Sequence, residues 1–289
     1  MAKPVRVLHI SDIHFGRSFV GAHLAAAEAL AVEAAGSASA LDAIVVSGDL
    51  SQRARAEEFR QARALLDRFS RVAPLLVVPG NHDAEWWNAP FGIGDAARVH
   101  ASWMEIIGTE LEPTLRVPGV SIVGLNSAPG LMPWTVTKNP RDLRVKGGLT
   151  DAQLRDARRR LDASPAGDLR VLVLHHNVLR GVLSNRWGLA RPERTLDAFA
   201  DLSPDVVCTG HDHEERAELV SRATGDLLVS TANTLSSRAR GKRTASLNLI
   251  EADQSHVRVE IWHFQPDSGE FRLQRDTSAP RRALAASSR

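Results

Sequence analysis

The chain has 289 residues, is 43% hydrophobic and 24% charged, and carries a formal charge of +2; this is ordinary globular composition, long enough to bury a sizeable core. So small a basic excess does not mark a nucleic-acid binder, and the single cysteine, Cys208, excludes an intramolecular disulfide and a cysteine-built zinc site. There is no apolar run of about 18 residues and no apolar leader core in the opening MAKPVRVLHISD, so a cytoplasmic protein is expected.

Taken in order, Val5–Ile10 reads as a buried strand ending in Ser11-Asp12-Ile13-His14-Phe15-Gly16, followed by an Ala- and Leu-rich helix over Val20–Ala35. Ala43–Val46 is a second apolar run, ending in Ser47-Gly48-Asp49. Arg53–Phe69 has the helical period, with Phe59, Ala62, Leu65, Leu66 and Phe69 on one face. Leu75–Val78 then leads through Pro79 into Gly80-Asn81-His82-Asp83. This βαβαβ start implies a largely parallel sheet with right-handed crossovers.

Residues 84–112 are less regular, and Leu115–Val117 and Val120–Leu125 suggest a hairpin about Pro118-Gly119. Thr150 suits the N-cap of a helix over Thr150–Leu161. Leu169–Leu174 is a strand ending in His175-His176-Asn177, and Asp205–Cys208 one ending in Thr209-Gly210-His211-Asp212-His213, with a short helix at Leu196–Leu202 between them. Leu227–Thr231, Ala245–Ile250 and Val257–Phe264 read as further strands. One domain over residues 1–276 is expected, with variable loops at 84–112, 128–148 and 178–195 and a disordered tail from 277 to 289.

Five apolar runs thus each end in metal-capable groups: Asp12/His14, Asp49, Asn81/His82, His175/His176 and His211/His213. Ligands of open α/β sheets bind at the carboxyl ends of the strands. A histidine at one such place is more often a hydrogen-bonded structural group, and Asp12 or Asp49 could cap a helix or a turn. Five coinciding strand ends favour a shared site. Carboxylates, imidazoles and one amide oxygen suit manganese, iron or zinc, and suit calcium poorly. The number of groups is enough for two metal ions. His9, His23, His100, His256 and His263 lack this setting and read as structural or exposed.

The ordered pattern D-x-H, G-D, G-N-H-D, H and G-H-x-H across residues 12–213 resembles the calcineurin-like metallophosphoesterase family. The resemblance implies an α/β fold, a two-sheet β-sandwich flanked by helices, with a dinuclear site above it. It places Asp12, His14 and His213 on one metal and Asn81, His175 and His211 on the other, with Asp49 bridging. His175 is the match because it directly follows the strand, with His176 the alternative. His82 would bind the phosphoryl group and protonate the leaving oxygen. Several relatives have an aspartate three residues after the bridging one; here that position is Gln52, which could still hydrogen-bond His82 but would stabilise its imidazolium less. Arg53 matches a position that contacts substrate phosphate in some relatives.

With its early D-I-H-F-G, the GDLSQR and the GNHD, the chain resembles the short bacterial members similar to cyclic-nucleotide and glycerophosphodiester phosphodiesterases. The implied function is hydrolysis of a phosphodiester or phosphomonoester by in-line attack of a metal-bridging hydroxide, with two Mn-, Fe- or Zn-type ions as cofactors. The alternatives are a DNA-processing nuclease, disfavoured by the modest charge, and a metal-bound regulatory protein without turnover. Trp86, Trp87 and Trp134 could stack on a base, and Arg180, Arg186, Arg191 and Arg194 could meet further anions, but packing beneath a loop is the favoured reading of the tryptophans and a solvated charged loop, more strongly still, that of the arginines. Ser236–Arg243, with Arg238, Arg240, Lys242 and Arg243, reads as exposed. The expected partner is a small phosphate ester, and the hairpin and terminal strands could support a homodimer.

Overall fold

Runs such as VRVLHI and AIVV offer apolar side chains at nearly every position, as strands covered on both faces require. The structure, a computed structural model, describes residues 3–35, 40–85, 96–130 and 145–282. It begins with β1 (Val5–Ile10), α1 (Gly21–Ala35), β2 (Ala43–Val46), α2 (Ala56–Ser70) and β3 (Leu75–Val77), the three strands lying parallel. Two short helices, α3 (Ala96–Val99) and α4 (Ala101–Ile106), precede the antiparallel hairpin of β4 (Thr114–Val117) and β5 (Val120–Gly124). Then follow α5 (Asp151–Asp162), β6 (Leu169–Val173), α6 (Pro192–Leu202), β7 (Val206–Thr209), β8 (Arg216–Val220) and β9 (Leu227–Thr231). The chain closes with β10 (Ser246–Ala252), β11 (His256–Gln265) and β12 (Glu270–Pro280).

The strands form two six-stranded sheets, ordered β12-β11-β10-β1-β2-β3 and β4-β5-β6-β7-β9-β8. Alternate residues sort themselves between the layers, as the twofold period of a strand demands. Val7, Ala43 and Val45 meet Val171, Val173, Val206 and Cys208 between the sheets. Leu8, Ile10, Ile44 and Val46 face outward onto a layer containing Leu24 of α1 and Phe59 and Leu65 of α2. On the far side Leu172 and Leu174 pack with Leu161 of α5 and Leu196 and Phe199 of α6. The expected two-sheet sandwich flanked by helices is the observed architecture. No described helix is long and apolar enough to cross a membrane.

The apolar layer between the sheets gives way to polar contacts near the carboxyl ends of the strands. His9 lies 3.0 Å from Ser230 Oγ of β9 and 2.9 Å from Ser47 Oγ, and Asn248 donates to Ser230 Oγ at 2.9 Å. Burial holds His9 down at about 3, so it joins the two sheets as a neutral imidazole.

Several boundaries differ from the sequence reading. α6 starts at Pro192, four residues before Leu196, because Arg191 turns through a left-handed conformation (φ 57°) and proline suits the first helical position. Thr150 caps α5 as expected: its Oγ1 accepts from Gln153 N at 3.2 Å, and Gln153 Oε1 accepts from Thr150 N at 2.8 Å. β8 and β12 were not legible as strands. Both lie at sheet edges with one side largely solvated, and backbone pairing there needs no apolar run. The tail expected to be disordered from Thr277 is therefore ordered through Arg282. Thr277–Pro280 pair with Val259–His256, Arg281 N donates to Ser255 O at 2.8 Å, and Arg282 N donates to Asp205 Oδ1 at 3.2 Å.

Candidate metal centre

The proposed ligands sit just beyond the strands, in backbone conformations that few side chains accept. Asp12 (φ 53°), His14 (51°), Asp49 (52°), His211 (72°) and His213 (53°) are all left-handed. Asp and His enter this region more readily than most residues, at a cost of order 1–3 kcal/mol each when held there. The loops brace one another: Asp12 N donates to Gly48 O at 3.0 Å and His14 N to Asp49 O at 3.0 Å. Buried Ile13 packs into the helix-side core, while Asp12 and His14 on either side of it join the polar cluster.

Ligand atoms of Asp12, His14, Asp49 and His213 all lie within 4.8 Å of one another. His213 Nε2 is 3.0 Å from Asp12 Oδ1 and 3.1 Å from His14 Nε2. A second group adjoins it, with Asn81 Oδ1 2.8 Å from His211 Nδ1 and 3.1 Å from His175 Nε2. Asp49 faces both groups: its Oδ2 is 3.6 Å from His14 Nε2 and its Oδ1 3.3 Å from His175 Nε2. All seven expected ligands converge.

Their hydrogen bonding tests whether metal ions fit. His175 Nδ1 lies 2.8 Å from Ser47 O, and His213 Nδ1 lies 2.9 Å from Arg238 O. A carbonyl only accepts, so each Nδ1 carries a proton and each Nε2 is the ring nitrogen turned into the cluster, the one a metal ion would take. Asp12 Oδ1 is buried there without a hydrogen-bond donor, despite its 3.0 Å approach to His213 Nε2. Burial brings His14 down to about 4 and His211 to about 3. Burial also opposes ionisation of Asp12, but His213 and His14 outweigh it and hold the carboxyl well below its ordinary value. For His175, Asp49 overcomes burial and raises it to about 9, so the local field favours positive charge. Buried electron-pair donors facing one another around carboxylates fit a divalent metal.

The GNHD turn serves this arrangement at each position. Gly80 leaves no room for a side chain: a Cβ there would lie 2.1 Å from Asp49 Oδ1 and 2.4 Å from Asp49 N. Gly80→Ala is expected to cost about 1–3 kcal/mol of stability and to lower bound metal by displacing Asp49, measured by thermal unfolding and elemental analysis. Asp83, buried, accepts from Ser51 N at 2.8 Å, Gly80 N at 2.9 Å and Leu50 N at 3.2 Å, tying the GNHD turn to the loop after β2. His82 N donates to Asp49 Oδ1 at 2.8 Å.

Three expectations are corrected in detail. The His82 ring is held by the backbone carbonyl of Gln52, 2.8 Å from Nδ1, and not by its side-chain amide, which accepts from Ser18 Oγ at 2.8 Å. Arg53 is exposed, its backbone N–H donates to Glu58 at 2.8 Å, and it does not line the cavity beside the cluster. Arg238, read as exposed, is half-buried and brings Nη1 to 3.4 Å from His82 Nε2. No local sequence signal distinguishes it from its neighbours Arg240 and Arg243. His176 directs Nδ1 to Ser127 Oγ at 2.8 Å, while its ring packs against that of His211 with centroids 4.6 Å apart. Among the histidines read as structural, His100 is buried against Ala128 O at 2.9 Å and His23 meets Leu235 O at 3.1 Å.

A cavity of about 470 Å³ opens beside the cluster and is lined by His82, Lys146, Arg186, Trp187, Arg238 and Arg240 among others. Of the arginines in the 178–195 loop, Arg186 reaches it, whereas Arg194 pairs with Asp151 at 2.6 Å on the surface. Trp86, Trp87 and Trp134 lie outside the described residues.

A family description, calcineurin-like phosphoesterase, matches residues 5–215. No curated protein matches the sequence. Among solved structures, the chain is similar to a purple acid phosphatase from yellow lupin (Lupinus luteus) seeds at 12% identity and a TM-score of 0.67, with 97% of this chain and 54% of that one covered. It is similar to PhoD at 12% identity and a TM-score of 0.65, covering 97% and 70%. GAP50, the anchor in the inner membrane complex of Plasmodium, is similar at 10% identity and a TM-score of 0.58, covering 98% and 91%. The chain thus spans about half the length of the lupin phosphatase. At these identities the likeness is one of fold.

Proposed function

The chain belongs to the calcineurin-like phosphoesterase family, and on that premise we propose that it hydrolyses a small phosphodiester, with phosphomonoesters the second substrate class. The observation that carries this reading is Asp49, whose two oxygens face two different groups of electron-pair donors. Asp12, His14 and His213 would hold one divalent ion of the Mn, Fe or Zn type, Asn81, His175 and His211 another, and Asp49 both. When bound, such ions supply a nucleophile from water near neutral pH and neutralise phosphoryl charge.

The remaining steps belong to the chain's own groups. His82 donates Nδ1–H to the Gln52 carbonyl, which leaves Nε2 directed at the cavity. Protonated there, it can bind a phosphoryl oxygen and pass its proton to the leaving oxygen. The carbonyl fixes the ring as a carboxylate would, without adding a negative charge. A cavity of about 470 Å³ suits a small-molecule ligand.

The test is turnover of bis-p-nitrophenyl phosphate against p-nitrophenyl phosphate after separate reconstitution with Mn²⁺, Fe²⁺ and Zn²⁺. Faster hydrolysis of the diester with at least one metal is expected. Preference for the monoester would assign the second substrate class, and no turnover with any metal would overturn the reading.

A further inference from the structure

The loop after β9 is bound to the candidate metal centre through its main chain and hydroxyl groups. Thr234 Oγ1 donates to Asp12 O, Ser237 N donates to Ser18 O at 2.9 Å, and Arg238 O accepts from His213 Nδ1 at 2.9 Å. Arg238 N donates to Ser236 Oγ at 3.3 Å, so the loop reaches the cavity in one defined course. This course aims the Arg238 guanidinium at imidazoles. Its Nη1 is 3.3 Å from His14 Nδ1 and 3.4 Å from His82 Nε2.

Its neighbours behave differently. Arg240 pairs with Asp212 at 3.3 Å, and Arg243 pairs with Glu215. Among the described residues Arg238 has no carboxylate partner. A half-buried cation beside groups suited to hold metal ions is disfavoured by Coulomb repulsion unless an anion lies between them. A phosphoryl group is such an anion, and a guanidinium donates to its oxygens in a fixed fork.

We propose that Arg238 is a substrate-binding residue that donates to a non-bridging phosphoryl oxygen while His82 approaches the same group. The inference rests on the phosphoesterase reading and gives Arg238 the phosphate contact that the family resemblance assigned to Arg53. The side chain makes this contact, whereas the tether to His213 uses the carbonyl, so substitution separates the two.

The test compares the full-length wild type with Arg238→Gln and Arg238→Lys after metal reconstitution. Metal content, affinity for inorganic phosphate by titration calorimetry, and kcat and KM for bis-p-nitrophenyl phosphate are measured on each. Arg238→Gln should keep its metal, weaken phosphate binding by about 10- to 100-fold and lower kcat/KM by a similar factor. Arg238→Lys should recover part of both losses. Unchanged phosphate affinity in Arg238→Gln, or loss of metal from it, overturns the proposal. A wild type that binds phosphate but hydrolyses no ester overturns the catalytic reading alone, and the phosphate titrations then decide the role of Arg238.

Discussion

Asp49→Ala is expected to lower phosphoester turnover by on the order of 10³-fold or more, because nucleophile generation and charge neutralisation by bound ions are each worth several kcal/mol. Elemental analysis should show metal lost in parallel. Among the described residues Asp49 is the carboxylate facing both donor groups, with His14 3.6 Å from one oxygen and His175 3.3 Å from the other. It also accepts from His82 N at 2.8 Å, so the alanine variant disturbs the GNHD turn as well. Asp49→Asn provides the control: it keeps the shape and an acceptor for His82 N, but removes the charge that two cations would share. Metal loss in both variants with unchanged circular dichroism assigns the effect to ligation. If Asp49→Ala keeps its full metal content and activity, the dinuclear proposal is wrong.

His82→Ala should behave in the opposite way toward metal. Its Nδ1 is committed to the Gln52 carbonyl and its Nε2 faces Arg238 and the cavity, so metal content should be unchanged. The expected loss is about 10²- to 10⁴-fold in kcat, the usual range for a positioned acid or base. The size of the loss should depend on the leaving group. p-Nitrophenolate departs without a proton, whereas an alkoxide needs one, so an alkyl phosphodiester should suffer more than bis-p-nitrophenyl phosphate. Equal losses on both would limit His82 to binding the phosphoryl group. Loss of metal would make it a ligand.

Much of the fold could be read from the chain because both sheets have largely apolar central strands. VRVLHI, AIVV and VVCT are covered on both faces and have few other uses. β12 could not be read this way, since it is held by backbone pairing along β11 while most of its side chains face water. The start of α6 was obscured by its arginines, although Pro192 is an ordinary first helical residue.

The candidate site divides along the same physical line. The sequence by itself determined the donor types and their order, because each ligand lies within a few residues of the strand that carries it. It also indicated a common edge, since the parallel strands end on the same side. Tertiary structure decided where the side chains point. His175 and His176 are adjacent and both buried, but the first meets Asp49 and Asn81 while the second meets Ser127. Gln52 acts on His82 through its carbonyl because its side chain is engaged by Ser18. Arg238 meets His14 across 224 positions of sequence, through a loop anchored on Asp12, Ser18 and His213. Such a contact depends on how distant segments pack, and local residue pattern carries no record of it.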